Sequence, residues 1–327
     1  MINSQAAAQN GKFTLVLDSS QLSTFLECPQ MWNYQYNERL GLPAGEPKEA
    51  MNAGTYGHKL LEIYYLARFA GLDMNAAKEK AFAFDIDSYF CTCKHSRESH
   101  SEGGACKCGC EAFKAQPFEL AGEMRYAVKN RLWEYFCTYL SNDFVPDSPE
   151  AVEVGFSEKL YEDSENLFVL EGRIDMKATL QGLPCIVDHK FQTRAHSLYK
   201  KSIQFKNYVY ASRVPLLVIN YIRLSKGVTK DTLVRELVTF NSLEMQAWKQ
   251  ELVQLFFKIK AMLLNERFER NWSSCGGRYG YHCIYTPLCE EPNSELVQLK
   301  KSTYVERELW RPWLWAYGSV RKIKQWD

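Results

Sequence analysis

The sequence predicts an α/β fold in which a mixed central sheet is flanked by helices. The first observation is a change of hydrophobic period, because helical spacing before residue 151 gives way to strict alternation over residues 151–191. The second is the order that follows: a helix, the apolar strand PLLVINYI and a long helix. The chain has no internal repeat and no low-complexity linker. We therefore predict a single domain over residues 1–327.

Apolar spacing and terminal signals position the individual elements. Helices are predicted near residues 19–40, with Ser19 or Ser20 as the cap, and then near 57–69, 119–140, 199–212 and 242–268. Strands are predicted near 151–161, 167–180, 183–191 and 215–222, with one more before the last helix. The dipeptide Gln181-Gly182 fits a two-residue hairpin turn between the second and third strands.

Charge and apolar content restrict the setting of the protein. The 40 basic and 39 acidic side chains give a net charge of +1, so any nucleic-acid contact needs a local basic patch. The N-terminus lacks a signal-peptide pattern, and the apolar runs are shorter than the ~20 residues that span a bilayer. We expect no membrane contact and a cytoplasmic location, which would be the host cytoplasm for a viral chain.

The hairpin brings three charged residues together. With Gln181 and Gly182 in the turn, Asp175 lies opposite Asp188, and Lys190, two residues further, points the same way. Opposed like charges destabilise a sheet unless a cation lies between them. Carboxylate pairs suit Mg²⁺ or Mn²⁺, which favours phosphodiester hydrolysis. The alternative is a solvated strand face on which Lys190 pairs with one aspartate.

The stretch GRIDMKATLQGLPCIVDHKFQT resembles the signature of the PD-(D/E)XK nucleases, in their RecB-like branch. The resemblance implies a restriction-endonuclease-like core, with Asp175 and Asp188 at the metal and Lys190 as the catalytic lysine. GTYGHKLLEIYY resembles the helix that supplies a histidine ligand, here His58, and the carbonyl of His189 would complete the metal shell. SIQFKNYVYA resembles the helix whose glutamine and tyrosine position the strand, and the corresponding residues are Gln204 and Tyr208.

Glu153 lies on the strand before this hairpin. It could add a carboxylate to the site, but we expect it to be an outward-facing surface residue.

Four separated cysteines suggest a second metal site. AddB-type subunits and CRISPR-associated RecB-like exonucleases carry a [4Fe–4S] cluster on one early and three late cysteines, and the resemblance assigns Cys28, Cys275, Cys283 and Cys289 to it. Here seven residues separate the first two late cysteines, where those proteins usually have two. Zinc on the same thiolates, with His282 as a substitute ligand, and unconnected core thiols are the alternatives.

The remaining cysteines divide into an insert and two core thiols. Cys137 and Cys185 are interpreted as core. Residues 91–110 read as a zinc-binding insert in which a subset of the soft ligands binds Zn²⁺. These ligands are Cys91, Cys93, His95, His100, Cys106, Cys108 and Cys110. Residues 270–327 form the late cysteine cluster and an extension whose aromatic residues we expect to pack on the body of the fold.

The combined interpretation is a Mg²⁺- or Mn²⁺-dependent deoxyribonuclease, an exonuclease of recombination, repair or replication. Its expected substrate is single-stranded DNA or DNA ends, and a helicase or a recombination protein is a candidate partner. One alternative is a DNA-binding or scaffolding subunit of a helicase–nuclease complex that has little activity of its own. Another is a structural zinc protein without a nucleic-acid role.

Overall fold

The structure is a computed structural model, which describes residues 6–9, 11–41, 49–89, 117–139, 144–192, 202–224, 233–276 and 282–307. The chain divides into two compact units. Unit 1 comprises residues 1–47, 157–172 and 242–311, and unit 2 comprises residues 48–156, 173–241 and 312–327. The predicted single domain stays a prediction. No described helix combines the length and the apolar character that crossing a membrane requires.

The described strands are β1 (Ala6–Gln9), β2 (Lys12–Asp18), β3 (Val145–Pro146), β4 (Val152–Glu162), β5 (Asn166–Leu180), β6 (Leu183–Gln192), β7 (Leu216–Arg223) and β8 (Leu233–Thr239). The described helices are α1 (Ser19–Glu27), α2 (Pro29–Trp32), α3 (Glu49–Phe69), α4 (Met74–Phe82), α5 (Gly122–Thr138), α6 (Ile203–Ser212), α7 (Ser242–Asn265), α8 (Thr286–Cys289) and α9 (Ser294–Lys301). Strands β4 and β5 pair with each other, and each contributes residues to both units.

In unit 1, β2 pairs in parallel with the first half of β5 and antiparallel with β1. Helix α1 follows β2 directly, and its cap is Asp18, whose carboxylate accepts hydrogen bonds from the backbone N–H groups of Ser20 and Gln21. The expected cap at Ser19 or Ser20 is therefore wrong by one or two residues. The carboxylate satisfies N–H groups that have no partner within the helix.

The continuous helix expected over residues 19–40 is also wrong. Cys28 has extended backbone angles and separates α1 from α2, which begins at Pro29. A residue before proline is pushed away from helical angles by the proline ring, and this explains the break. A π-helical turn over Asn33–Asn37 follows α2. The break presents Cys28 at a corner between two helices.

In unit 2, the second half of β5 pairs antiparallel with β6, β6 pairs in parallel with β7, and β7 pairs antiparallel with β8. This confirms the mixed sheet. Helices α3 and α5 pack on it through a core rich in tyrosine and phenylalanine, while α6 contacts β6 and β7. The core includes Tyr64, Tyr65, Tyr135, Phe136, Met176 and Val187. These helices bring polar side chains close to the β5–β6 hairpin.

Candidate active site

The β5–β6 hairpin has the register that the sequence predicts. Leu180 pairs with Leu183, and the pairing continues to Met176 and Val187, so Asp175 and Asp188 come next in line. Gln181 and Gly182 have φ values of 51° and 81°. Two successive positive φ values are typical of the tight turn that suits hairpin twist. The turn therefore sets the level at which the two aspartates lie.

Asp188 is fully buried beside a lysine. The Nζ atom of Lys190 lies 3.1 Å from Oδ1 and 3.0 Å from Oδ2 of Asp188, and Oδ2 accepts no hydrogen bond from a described residue. Burial raises the pKa of Asp188 to about 7, with the charge of Asp175 adding to it and Lys190 opposing it. Both oxygens of Asp188 thus lie within ion-pair distance of Lys190, and a metal ion would share this carboxylate with the lysine.

Asp175 accepts a hydrogen bond from the backbone N–H of His189, with 2.8 Å between Oδ2 and the nitrogen. The same oxygen lies 3.4 Å from Nδ1 of His58 on α3. Burial alone would raise the pKa of Asp175, but the charge of His58, the contact with the His189 side chain and the charge of Lys190 outweigh burial and lower it. Burial lowers the pKa of His58, which favours the neutral imidazole that binds metals.

Glu153 is not the surface residue that we expected. It is 8% exposed, and Oε2 lies 2.7 Å from Nε of Arg173 while Oε1 lies 4.0 Å from Nδ1 of His58. Its φ of 53° is a left-handed conformation, which interrupts the extended geometry of the strand. Burial, with Asp175 adding to it and Arg173 opposing it, raises the pKa of Glu153 to about 7. No periodic pattern in the sequence signals such a conformation.

His58, Glu153 and Asp175 form the group of possible metal ligands. Each offers one ligand atom, and these atoms all lie within 4.8 Å of one another. Oxygen and imidazole ligands at this spacing suit a divalent cation. The sequence predicted His58, Asp175 and Asp188 as the side-chain ligands, whereas the structure groups His58 and Asp175 with Glu153.

Gln204 and Tyr208 on α6 continue the polar chain from Lys190. Nζ of Lys190 donates to Oε1 of Gln204 at 2.9 Å, and Nε2 of Gln204 donates to Oη of Tyr208 at 2.7 Å. Burial, followed by the charges of Asp188 and Asp175, raises the pKa of Tyr208 well above its usual range, so the phenol stays protonated. Gln204 therefore holds the lysine, a role that the sequence did not indicate.

Two neighbours fix the imidazoles around this site. The ring of His189 is buried in the core, with its centroid 5.8 Å from that of Tyr65. Ligation by the carbonyl of His189 stays a prediction. Gly57 precedes His58, and a Cβ atom at this position would lie 2.3 Å from the ring of Phe191. The absent side chain thus lets α3 approach β6 closely, and Phe191 contacts the His58 ring edge-on at 5.4 Å.

The four separated cysteines all lie in unit 1. Cys28 is 8% exposed and its Sγ accepts from the backbone N–H of Asn271 at 3.4 Å. The backbone N–H of Cys283 donates to the carbonyl of Cys275 at 3.0 Å, so the chain returns to Cys275 despite the seven-residue gap. Burial raises the pKa of Cys289 to about 11, and the charges of the three other cysteines add to the rise while Arg270 opposes it. The four thiols are therefore near neighbours.

The spacing of these thiols bears on the metal. Tetrahedral zinc with Zn–S bonds of 2.3 Å holds its sulfurs about 3.8 Å apart. Within the described parts of the chain, no three cysteine sulfurs lie within 4.8 Å of one another. A multi-iron cluster separates its thiolates more widely than a single ion does. Both a [4Fe–4S] cluster and zinc on these cysteines stay predictions, and His282 is exposed.

Several predicted features lie outside the described residues. They are the zinc-binding insert at 91–110, with all seven of its candidate ligands, and the extension beyond residue 307.

Of the two cysteines interpreted as core, Cys185 is buried and Cys137 is exposed, so the interpretation is wrong for Cys137. Cys137 lies next to Phe136, which is buried, on the outward face of α5.

Comparisons with known proteins identify the family. Residues 19–290 match the model of the PD-(D/E)XK nuclease superfamily, while no curated protein matches the sequence. Among the solved structures, SSO0001 matches at 13% identity over 53% of this chain and 73% of its own, with a TM-score of 0.30. A Eubacterium rectale protein named as a candidate exonuclease matches at 14% identity. The match covers 90% of this chain and 94% of that protein's chain, with a TM-score of 0.43. Because the family model covers most of its length, the chain belongs to the PD-(D/E)XK nuclease superfamily.

Proposed function

We propose that the protein is a metal-dependent deoxyribonuclease that degrades DNA from an end. Membership of the superfamily implies a metal-dependent nuclease. The observation that carries the proposal is the arrangement around the hairpin, where Asp175 contacts His58 and Asp188 contacts Lys190. A buried carboxylate, a partly buried carboxylate, an imidazole and a lysine are groups that suit metal-assisted phosphodiester hydrolysis.

Asp175, Asp188 and His58 are the residues that would hold Mg²⁺ or Mn²⁺. These ligands fit a hard divalent cation, since they supply carboxylate oxygens, one of them 3.4 Å from Nδ1 of His58, and burial favours the neutral imidazole of His58. When bound, the cation supplies Lewis-acid polarisation of the phosphate and a more acidic water.

The chain's own groups act around that centre. Lys190 orients the attacking water and stabilises the negative charge that develops on the phosphate. Gln204 accepts a hydrogen bond from Lys190 and so keeps its ammonium group directed at Asp188. Tyr208, protonated and bonded to Gln204, fixes the amide orientation. Hydrolysis leaves a 5′-phosphate on one product.

The four cysteines of unit 1 are the proposed ligands of a [4Fe–4S] cluster with a structural role. The return of the chain from Cys275 to Cys283, and the position of both residues in the same unit as Cys28 and Cys289, support a shared site. Zinc in the 91–110 insert, single-stranded DNA as substrate and a helicase or recombination partner complete the proposal. The biological process proposed is DNA recombination, repair or replication.

Anaerobically purified protein, assayed on end-labelled DNA, tests the enzyme proposal. Linear and covalently closed circular forms of the same DNA, each single- and double-stranded, are incubated with Mg²⁺ or Mn²⁺. The wild type is expected to shorten linear DNA and spare circles, while Asp188→Ala and Lys190→Ala leave both intact. Lys159→Ala is the matched control, because Lys159 on β4 pairs with Glu162 in unit 1.

Each alternative has its own outcome in this assay. Cleavage of circles makes the protein an endonuclease and refutes the requirement for an end. Equal degradation by wild type and both site variants refutes the assignment of the site. Tight DNA binding by the wild type without cleavage under either metal favours the DNA-binding or scaffolding subunit.

A further inference from the structure

Glu153 lies between two possible partners. On one side, Oε2 is 2.7 Å from Nε of Arg173, and on the other, Oε1 is 4.0 Å from Nδ1 of His58. Its carboxylate is 8% exposed, and its Oε2 accepts no hydrogen bond of good geometry from the described residues. Glu153 therefore has one close ion-pair partner and one more distant neighbour, and a buried carboxylate can give up its close partner only if another cation replaces it.

The stronger partner would bind within the same group. The ligand atoms of His58, Glu153 and Asp175 all lie within 4.8 Å of one another. A divalent cation held by His58 and Asp175 would therefore attract the Glu153 carboxylate. Because a divalent ion carries twice the charge of a guanidinium, the attraction to the ion would weaken the bond to Arg173.

The Arg173 side chain lies where a released guanidinium could contact the substrate. It lies two residues before Asp175 on β5, so the two side chains leave the strand on the same face. Its side chain is 32% exposed, whereas that of Glu153 is 8% exposed, so part of the arginine reaches solvent while its counter-ion does not. A planar guanidinium with several N–H donors suits a phosphate.

We propose that cation binding draws Glu153 away from Arg173 and thereby frees the Arg173 guanidinium to bind a DNA phosphate beside the metal. The inference rests on the proposed function, since it takes DNA as the substrate. Without the cation, Glu153 neutralises Arg173 and the site holds DNA weakly. With the cation bound, Arg173 contributes to binding of the DNA strand that is cleaved.

Linkage makes the proposal reciprocal. If the cation raises DNA affinity through Arg173, DNA raises cation affinity by the same factor. Substitutions of Arg173 and of Glu153 should then change the affinity for the cation in opposite directions. Arg173→Gln removes the competitor for Glu153 and strengthens cation binding, whereas Glu153→Gln removes a ligand and weakens it.

The test measures binding of a fluorescent single-stranded oligonucleotide by anisotropy, with Ca²⁺ or with EDTA, and Ca²⁺ affinity by calorimetry. A denaturing gel checks that the DNA stays intact. The wild type is expected to gain about tenfold more DNA affinity from Ca²⁺ than Arg173→Gln does. Glu153→Gln is expected to bind DNA more tightly than wild type in EDTA, because its arginine is already free.

Two further variants separate this exchange from a general charge effect. In Glu153→Gln/Arg173→Gln, the tighter binding in EDTA should disappear. Glu134→Gln, which breaks the ion pair with Arg131 on α5 of the same unit, should leave every affinity within about twofold of wild type. Thermal melting checks that each variant is folded, and the double substitution removes both charges of the ion pair together.

The outcomes separate the two proposals. Equal gains from Ca²⁺ in wild type and Arg173→Gln, or tighter EDTA binding by Glu153→Gln that persists without Arg173, refute the exchange. If the wild type still cleaves DNA, the nuclease proposal survives that result. A wild type that neither binds nor cleaves DNA refutes the proposed function and, with it, the coupling.

Discussion

The two candidate metal sites differ in how protein groups compensate their ligands. In unit 2, Lys190 lies beside Asp188, and Arg173 lies beside Glu153. In unit 1, the Sγ of Cys28 contacts a backbone N–H at 3.4 Å and that of Cys283 contacts the sulfur of Met31 at 4.0 Å. The first set is a charged site that can stand without an ion, and the second is a set of weakly bonded thiols.

This difference indicates whether each metal would be a permanent part of the fold or an exchangeable ion. Burial raises the pKa of both Cys283 and Cys289, so these thiols keep their protons at neutral pH unless a metal displaces them. A cluster would then be a permanent part of unit 1. The carboxylates of unit 2 are already balanced by lysine and arginine, which suits an ion that comes and goes with substrate. Substitutions at both sites and a change of pH test this contrast.

The largest expected effect is that of Cys28→Ala. Structural metal ligation is worth on the order of 10 kcal/mol in small metal sites, and Cys28 joins the corner between α1 and α2 to the later cysteines. We expect loss of iron and sulfide, and faster proteolysis within unit 1. Elemental analysis and limited proteolysis measure both. Cys185→Ala, at a buried thiol in unit 2, is the control and should keep its full iron content. A full iron content in Cys28→Ala would show that Cys28 is a core thiol and not a cluster ligand.

The next effect is steric and concerns unit 2. Gly57→Ala places a Cβ atom 2.3 Å from the ring of Phe191, and overpacking of this kind costs about 1–3 kcal/mol. Because His58 follows Gly57, we also expect weaker Mn²⁺ binding by calorimetry. Gly54→Ala, on the same helix with nothing within 4 Å, is the control and should be neutral or stabilising. Equal Mn²⁺ affinity in both variants would argue against His58 as a ligand.

Metal affinity should depend on pH through the two raised carboxyl groups. The pKa values of Asp188 and Glu153 are each raised to about 7, so both bind protons more tightly in the folded than in the unfolded protein. The stability that these two groups contribute to the metal-free protein is then lost as pH rises from about 4 to above 7. Cation affinity moves the other way, by up to about tenfold per pH unit for each proton released.

Calorimetry with Mn²⁺ at pH 6 and pH 8, beside thermal melting in EDTA, checks the pH dependence. The wild type should bind Mn²⁺ more tightly at pH 8, and Asp188→Asn should show a shallower dependence. Affinity that does not change between these pH values would contradict the role of the buried carboxylates.

The smallest expected effect is that of Gln204→Leu. The substitution removes the acceptor for Lys190, and a hydrogen bond to a charged group is worth about 1.5–3 kcal/mol. We expect the cleavage rate to fall by about tenfold or more, with Mn²⁺ affinity unchanged. Tyr208→Phe, which keeps the hydrogen bond between Lys190 and Gln204, should lower the cleavage rate less. If the two variants lose equally, the phenol rather than the amide holds the lysine.

Local chemistry explains which parts were predictable from the sequence. The turn residues Gln181 and Gly182 and the alternation around them specify the hairpin register, so the level of Asp175 and Asp188 followed by counting. Glu153 could not be found in this way, because its left-handed φ and its pairing with Arg173 come from the folded surroundings. Local signals predict a turn, but they do not predict a strained residue.

The break at Cys28 is an intermediate case. Pro29 was visible in the sequence, yet the apolar spacing on both sides suggested one helix. The strands β1 and β2 were not predicted, since β2 is defined by its parallel pairing with β5, more than 140 residues away in the chain. Long-range pairing of this kind is set by tertiary packing rather than by local propensity.

The central claim is that the β5–β6 hairpin of unit 2 performs metal-dependent DNA hydrolysis. Its most direct test is single-turnover cleavage of linear DNA by wild type and Lys190→Met, with Mn²⁺ binding measured on the same preparations. We predict that Lys190→Met binds Mn²⁺ at least as well as wild type but cleaves about 10²–10³-fold more slowly. Cleavage by Lys190→Met at the wild-type rate would contradict the claim.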